Sequence, residues 1–268
     1  MLKHRRRSFW NRVIAGLMGA ACLGISHAAV VTIAYDGIDY APHQLLEGEN
    51  GGTGWTAPWR FDYIYGENFV VLTPGLTYPG LATSGGAMYW TSGGNGISAN
   101  DRSLPLQNSG VVYVQFLSDF GPNSALGTPN VRLLHEGNYV AGFGGNGGTY
   151  QAVMSILDGN LTAKADGTSS SAAPLDQLNL VIVRIDYLAQ STSMWVNPNL
   201  EVFNYDLPSA PDAVFAGLAP AFDAVGAYTR NPGTVDEIRV VALVPEPTAG
   251  ILALLGGLAL FGRRLLRR

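Results

Sequence analysis

Residues Leu178–Tyr187 read LNLVIVRIDY, and Thr192–Val196 read TSMWV a few positions later. β-Branched and aromatic side chains dominate both stretches, and turn-forming residues separate them from their neighbours, which is typical of β-strands. Both stretches therefore predict strands of a β-sheet.

Further stretches along the chain share this composition and are likewise bounded by Gly, Asn, Asp or Pro. They are Val30–Tyr35, Ala87–Trp90, Val111–Ser118, Val131–His135, Tyr139–Phe143, Gln151–Leu157, Ala224–Tyr228 and Val235–Val241. Asp158-Gly159 and Gly137-Asn138 suggest tight hairpin turns, and no amphipathic stretch of helical period accompanies them. This many short strands in one run predict an all-β fold, a two-sheet antiparallel jelly-roll sandwich.

The charges of the chain are strongly segregated. Nine of the 16 basic residues lie within the first 12 or the last six positions, whereas residues 29–244 hold seven bases against 19 acids, a balance of −12. An acidic body argues against binding nucleic acid through its phosphates, so we expect no nucleic-acid partner. The single cysteine, Cys22, lies in the first apolar stretch, so the body has no disulfide and no cysteine metal ligand.

The N-terminus has the three parts of a secretory signal peptide. A basic segment over residues 3–12 precedes an apolar run, Val13–Ile25, that is shorter than the roughly 20 residues of a membrane span. Ser26-His27-Ala28 then offers small residues at the −3 and −1 positions, which predicts cleavage after Ala28. Residues 1–28 would thus be a signal peptide handled by the Sec translocon. A retained anchor helix is the alternative.

The C-terminus is a second membrane-directed segment. Val244-Pro245-Glu246-Pro247 separates the body from the C-terminal tail, because two prolines cannot continue a strand or a helix. The apolar residues 248–262 predict a transmembrane helix of about 22 Å, and the arginine cluster that begins with Arg263 and Arg264 would hold its end in the cytoplasm. Both basic ends then lie inside, and the acidic body lies outside.

The tail, residues 244–268, resembles the PEP-CTERM sorting signal of exopolysaccharide-producing Gram-negative bacteria. Pro245, Glu246 and Pro247, the apolar helix and the terminal arginines occur in the family's order. The resemblance implies recognition by an exosortase, a membrane cysteine protease that cuts near the motif. The precursor would be anchored in the inner membrane, and the released domain would reach the cell surface or the extracellular matrix. A plain tail anchor, the alternative, does not require the Pro-Glu-Pro motif.

The body, residues 29–243, resembles concanavalin A-like (laminin-G-like) jelly-roll domains of exported bacterial proteins. The segments that carry the resemblance are Tyr35–Tyr40 (YDGIDY), Asn50–Trp55 (NGGTGW), Leu180–Tyr187, Trp195–Pro198 and the closing Val235–Val240. In that family the last strand pairs near the first. The resemblance implies the same arrangement for this chain.

The sequence predicts no catalytic residues. Jelly-roll glucanases alternate two or three acids along one strand, but no Glu-x-Asp-x-x-Glu pattern occurs, and Asp236 and Glu237 are adjacent, which predicts opposite faces of a strand. A Gly-x-Ser-x-Gly elbow is also missing, and residues 142–147 match a dinucleotide fingerprint by letter alone. We expect no enzymatic activity and no organic cofactor. A carbohydrate-active enzyme of divergent site geometry on the same fold is the alternative.

A structural calcium ion is the one metal that the sequence suggests. Jelly rolls of this type often hold Ca²⁺ through loop carboxylates and carbonyls, and Asp36, Asp39 and Asp236 would meet if the first and last strands pair. The alternative, which the residue types favour, is that these acids are turn formers in solvent.

Aromatic residues alternate over one short segment, which contains Trp55, Trp59, Phe61, Tyr63 and Tyr65. Aromatic platforms of this kind stack on sugar rings, which makes Trp55 and Trp59 candidate carbohydrate contacts. The same spacing would place the rings in the core of a sandwich, and this interpretation is favoured. The sequence as a whole predicts an exported, non-enzymatic protein with a structural, adhesive or carbohydrate-binding role, for which exopolysaccharide is the expected partner.

Overall fold

A computed structural model describes residues 28–61, 68–90, 98–120, 130–146, 149–153, 174, 176–229 and 232–245. Contacts divide the chain into two compact units, of which the larger is Val30–Leu243. Almost all of the other unit lies outside the described residues, and so do most of the predicted signal peptide, the predicted helix 248–262 and the Asp158-Gly159 turn. Within the described residues, no helix has the length and hydropathy needed to cross a membrane.

The described part is all-β and contains fourteen strands. They are β1 (Ala28–Asp36), β2 (Arg60–Phe61), β3 (Val70–Leu72), β4 (Ala87–Trp90), β5 (Ser98–Gln107), β6 (Val111–Asp119), β7 (Asn130–His135), β8 (Asn138–Asn146), β9 (Thr149–Val153), β10 (Asn179–Asp186), β11 (Ser191–Val196), β12 (Ala213–Ala216), β13 (Phe222–Thr229) and β14 (Gly233–Pro245). Each of the ten predicted stretches overlaps one of these strands.

The strands form two sheets. Sheet A has the order β12-β11-β10-β6-β14-β4-β3, with β1 also paired to β14, and sheet B has the order β2-β5-β13-β7-β8-β9. In the middle of sheet A, Val114 of β6 lies opposite Val183 of β10 and Val240 of β14. These inward side chains share one core with Leu133 and Phe143 of sheet B. The predicted all-β fold of two antiparallel sheets is therefore confirmed.

The first and last strands pair, as the resemblance implied. Tyr35, near the end of β1, donates a hydrogen bond from its hydroxyl to Glu237 Oε2 over 2.8 Å. The guanidinium of Arg239 lies 4.8 Å from the centre of the Tyr35 ring. Since the end of β1 meets the early part of β14, the two strands run antiparallel, and the start of β1 is directed toward the end of β14.

The outer face of sheet A carries a second apolar cluster under the segment that comes after β11. Tyr113, Leu117, Ile182 and Trp195 point outward from the sheet and are buried there. The rings of Phe203 and Tyr205 cover them, with Phe203 edge-on to Trp195 at 5.6 Å and to Tyr205 at 5.3 Å between ring centres. Sheet A is thus packed on both faces.

Candidate functional site

An open cleft of about 530 Å³ lies on the outer face of sheet B. It is formed by β5, β13, the turn between β7 and β8, and the segment that leads into β2. The residues that line it are Thr56, Arg60, Asp101, Ser103, Leu104, Glu136, Gly137, Asp223 and Ala224. The cleft is therefore mainly polar and carries both signs of charge.

Asp101 anchors one side of the cleft. It is opposite Arg60 in the β2–β5 register, and Arg60 donates from Nε and Nη2 to Asp101 Oδ1 over 3.2 and 3.1 Å. Arg132 of β7 reaches Asp101 Oδ2 at 3.6 Å from the other side. The side chain of Arg60 is 58% exposed whereas that of Asp101 is buried. The pair thus presents a guanidinium to solvent in a fixed position.

The β7–β8 turn forms the opposite side of the cleft. Glu136 and Gly137 both have positive φ, 51° and 76°, which is the geometry of a tight hairpin turn and agrees with the turn predicted here. Asp223 of β13 holds the turn, because both of its carboxylate oxygens accept from Glu136 N over 3.1 Å. His135 Nδ1 lies 3.3 Å from Asp223 Oδ2. The Glu136 side chain is left exposed at the rim.

The floor of the cleft is fixed by the backbone. Thr56 N donates to the carbonyl of Ser103 over 2.9 Å, which ties the segment before β2 to β5. Hydroxyl, carboxylate and guanidinium groups then face a space with small apolar patches at Leu104 and Ala224. No aromatic ring is among these lining residues, so a ligand here would be held by hydrogen bonds rather than by ring stacking.

The two tryptophans that were candidate sugar contacts, with a place in the core as the favoured interpretation, are not among the lining residues of the cleft. Trp59 is in the core, where its Nε1 donates to Asp36 Oδ2 over 2.9 Å. Trp55 is half-buried beside it, with its Nε1 bonded to the carbonyl of Tyr35. The Arg102 guanidinium lies 5.3 Å from the Trp55 ring and 6.0 Å from the Trp59 ring. Phe61 lies in β2, while Tyr63 and Tyr65 are outside the described residues.

Asp36 is the centre of a buried polar cluster between the sheets. It accepts hydrogen bonds from Arg102 Nη1, from the Tyr40 hydroxyl and from Ile38 N. The bond from Ile38 N closes a turn at the end of β1, as predicted for this segment, but Asp36 is buried and not in solvent. Burial, together with the hydrogen bond to Asp36, raises the pKa of Tyr40 above its ordinary value. Asp36 is thus a buried structural acceptor that is paired with Arg102.

Asp236 and Glu237 do not point to opposite faces of a strand as predicted. The β6–β14 register shifts between Asp236 and Arg239, and Glu237 has a φ of 53°, so a β-bulge replaces the regular alternation. Both carboxylates bind the segment between β3 and β4: Asp236 Oδ2 accepts from Leu76 N over 2.8 Å, and Glu237 Oε1 accepts from Ser84 N over 2.6 Å. Burial raises the pKa of Asp236 to about 8, and the nearby carboxylates of Glu237 and Asp36 act in the same direction.

The three acids proposed for calcium have different surroundings. Asp36 and Asp236 are buried near each other, but Asp36 is paired with Arg102 and Asp39 is exposed. Among the residues that the structure describes, no group of three or more acidic, histidine or cysteine side chains is placed to hold a metal ion. The calcium site stays a prediction, and the position of Asp39 does not support it.

The predicted processing sites fall at strand ends. Ala28 is the first residue of β1 and Pro245 the last residue of β14. Glu246, Pro247, Arg263 and Arg264 are outside the described residues.

The similarity of this chain to known proteins lies among solved structures. No family model matches it, and no curated protein does. Among solved structures it is similar to a sialidase, at 9% identity and a TM-score of 0.41, over 75% of this chain and 18% of that chain. It is similar to a botulinum neurotoxin serotype D binding domain, at 10% identity and a TM-score of 0.39, over 85% of this chain and 51% of that chain. It is also similar to the CBM2 module of Lactobacillus casei BL23 phage J-1 evolved Dit, at 11% identity and a TM-score of 0.47, over 82% of this chain and 99% of that chain.

The chain thus spans less than two thirds of the first two of these structures. With each TM-score below 0.5, the likenesses carry no argument about this chain.

Sequence reasoning missed the residues of the cleft. Arg60 and Asp101 lie on strands that the hydrophobic pattern did not reveal, and Glu136 and Asp223 are polar residues beside predicted strands. The turn at Gly137 was the one available signal, because it marks where two strands present polar ends together. The pairing of Asp101 with Arg60 depends on strand order, which no local pattern contains.

Proposed function

We propose that this protein is an exported surface or matrix protein whose body, a sandwich of jelly-roll type, binds carbohydrate without converting it. The observation that carries the proposal is the open polar cleft on sheet B. Its hydroxyl, carboxylate and guanidinium groups are fixed by the sheet register and by the β7–β8 turn. Such preformed donors and acceptors match the hydroxyl groups of a polysaccharide.

Binding is favoured over hydrolysis by the state of the cleft's acids. Two of the three acids of the cleft are engaged as hydrogen-bond acceptors, because Asp101 accepts from Arg60 and lies close to Arg132, and Asp223 accepts from Glu136 N. Glycoside hydrolysis requires in addition a carboxylic acid that stays protonated near neutral pH. Asp236, the acid whose pKa burial raises, does not line the cleft.

Export and sorting complete the proposal. Strand β1 begins at Ala28 and strand β14 ends at Pro245, so the two predicted processing sites lie at strand ends. We propose that a signal peptidase removes residues 1–28 and that an exosortase recognises Pro245, Glu246 and Pro247. An acidic body between two basic, apolar ends supports this topology.

Titration of the full chain with the host's exopolysaccharide, measured by calorimetry, tests the binding proposal. Arg60→Gln and Glu136→Gln should each weaken binding about tenfold, which corresponds to roughly 1.4 kcal/mol for a lost charged hydrogen bond. Glu201→Gln, an exposed acid outside the cleft, should bind as the parent does. If no polysaccharide of the host binds, or if the cleft variants bind unchanged, the proposal is wrong. Release of shortened sugars by the parent, but not by the cleft variants, would establish the enzyme instead.

A further inference from the structure

A second, separate group of polar side chains lies on the outer face of sheet A. Gln115 of β6 and Arg239 of β14 are partners in the strand register. Their neighbours Val114 and Val240 point into the core, so Gln115 and Arg239 point outward, as Tyr113 and Val241 do. The Cβ atoms of such cross-strand partners are about 5 Å apart. The two side chains can therefore reach the same small space on the outer face of sheet A.

The amide of Gln115 is oriented by Tyr205. The Tyr205 hydroxyl lies 2.7 Å from Gln115 Oε1, the length of an O–H···O bond and shorter than an ordinary N–H···O bond. This assigns the oxygen of the amide to Tyr205 and turns Nε2 away from it. Gln115 is only 3% exposed, and its Nε2 has no hydrogen-bond partner among the residues that the structure describes.

Arg239 contributes a second buried donor. Its Nε is buried and also has no hydrogen-bond partner in the described part of the chain. The guanidinium lies over the Tyr35 ring, and among the described residues no carboxylate forms an ion pair with it. The nearest acid along the strand, Glu237, is occupied by the Tyr35 hydroxyl and by Ser84 N.

We infer that a carboxylate binds between Gln115 and Arg239, with Nε2 of the amide and Nε of the guanidinium as its donors. Two adjacent buried donors require acceptors, and a guanidinium favours an acceptor that is negatively charged and has two oxygens. Such a group can come from an acidic sugar of a polysaccharide or from a small organic acid. The site lies on the sheet opposite the proposed sugar cleft and does not depend on it.

Thermal unfolding of the full chain tests this inference. Sodium acetate, sodium glucuronate and sodium chloride are compared at equal ionic strength, with glucose as the neutral sugar. A carboxylate at five times its dissociation constant should raise the melting temperature by about 2 to 4 °C over chloride. A rise with both salts indicates any carboxylate as ligand, whereas a rise with glucuronate alone indicates an acidic sugar.

Gln115→Glu is the decisive variant, because it places a carboxylate of the protein beside Arg239. Its Oε1 can still accept from Tyr205, so we expect a higher melting temperature than the parent's and no response to added carboxylate. Arg239→Met should lose the response too, whereas the cleft variant Arg60→Gln should keep it.

Equal melting temperatures of the parent in acetate, glucuronate and chloride would overturn the inference. In that case the Gln115 amide is turned over and pairs with Arg239 directly. A Gln115→Glu variant that responds as the parent does would overturn it as well. A failure of sugar binding in the cleft would leave the carboxylate response unaffected.

Discussion

Arg102 donates a hydrogen bond to Asp36 inside the core, and each of the two side chains is only 1% exposed. Arg102 belongs to β5 of sheet B and Asp36 to β1 of sheet A, so this buried ion pair joins the two sheets. The guanidinium also donates to the Tyr40 hydroxyl, to Asn50 Oδ1 and to the carbonyl of Ala57. The core of this protein is therefore organised around a satisfied charge pair as well as around apolar packing.

Breaking this pair should be strongly destabilising. Arg102→Met leaves the Asp36 carboxylate buried without its counter-charge, and we expect the free energy of unfolding to fall by about 3 to 5 kcal/mol. Urea denaturation measures the change. Arg60→Met is the matched control, since Arg60 is largely exposed and Asp101 keeps Arg132; its loss should be about 1 kcal/mol or less. Equal losses for the two variants would refute the role given to Arg102.

The stability should depend on pH through Asp236. The pKa of this acid is about 8 in the folded protein, because burial opposes ionisation, against 3.8 ordinarily. Between these two pKa values the folded state binds one proton more than the unfolded state. The stability that protonated Asp236 contributes is therefore complete below about pH 4 and is lost as the pH rises through 8. The free energy of unfolding, measured at pH 6, 7 and 8, should fall as the pH rises. Asp236→Asn should flatten this slope, and Glu201→Gln should retain it.

Gly54 and Gly217 have the same backbone conformation and different surroundings. Both have a φ of 79°, but a Cβ on Gly54 would lie 1.8 Å from the carbonyl oxygen of Ile33, whereas one on Gly217 would meet nothing within 4 Å. Gly217→Ala should therefore cost about 1 kcal/mol, the penalty of the left-handed backbone alone. Gly54→Ala should cost about 3 kcal/mol more, because the segment must move off β1. Similar melting temperatures for the two variants would contradict this.

Phe203 should hold the segment after β11 against sheet A. Phe203→Ala removes the edge-on contacts with Trp195 and Tyr205 and should lower the free energy of unfolding by about 2 kcal/mol. Limited proteolysis between Asn199 and Ala210 should become faster, since the segment opens locally. The neighbouring Val202 is 76% exposed, and Val202→Ala should leave both measurements unchanged.

Processing should be visible in the intact mass of the mature protein. From a native-type host we expect loss of residues 1–28 and a cut near Pro245-Glu246-Pro247, and the second cut should be absent when the exosortase gene is deleted. An unaltered C-terminus in both hosts would make residues 244–268 a permanent anchor. The sorting proposal would then be wrong.

The apolar strands were predictable from the sequence, and β5 was not. Val111–Ser118 and Leu178–Tyr187 bury apolar side chains on both faces, so their composition marks them as strands. β5 reads SANDRSLPLQ, and its charged residues are buried because Arg102 finds Asp36 and Asp101 finds Arg60. Partners this far apart in sequence are brought together only by the sheet order, so a local pattern classifies such a strand as loop.

The candidate site was hidden for the same reason. Adjacent acids such as Asp236 and Glu237 point to opposite faces only where the strand is regular. The bulge between Asp236 and Arg239 interrupts this alternation. The tryptophans drew attention as sugar contacts because their spacing is the same in a binding face and in a core. The register that brings Gln115 beside Arg239 is likewise a property of the folded sheet. It cannot be read from the separation of the two residues along the sequence.

The antiparallel pairing of β1 and β14 brings the first and last strands of the body side by side, with the start of β1 toward the end of β14. A linker of a few residues would close the chain into a ring, and the β7–β8 turn at Gly137 would then offer a place to open it. The domain could likewise be inserted whole into a surface loop of another protein, since the chain enters and leaves the domain through neighbouring strands.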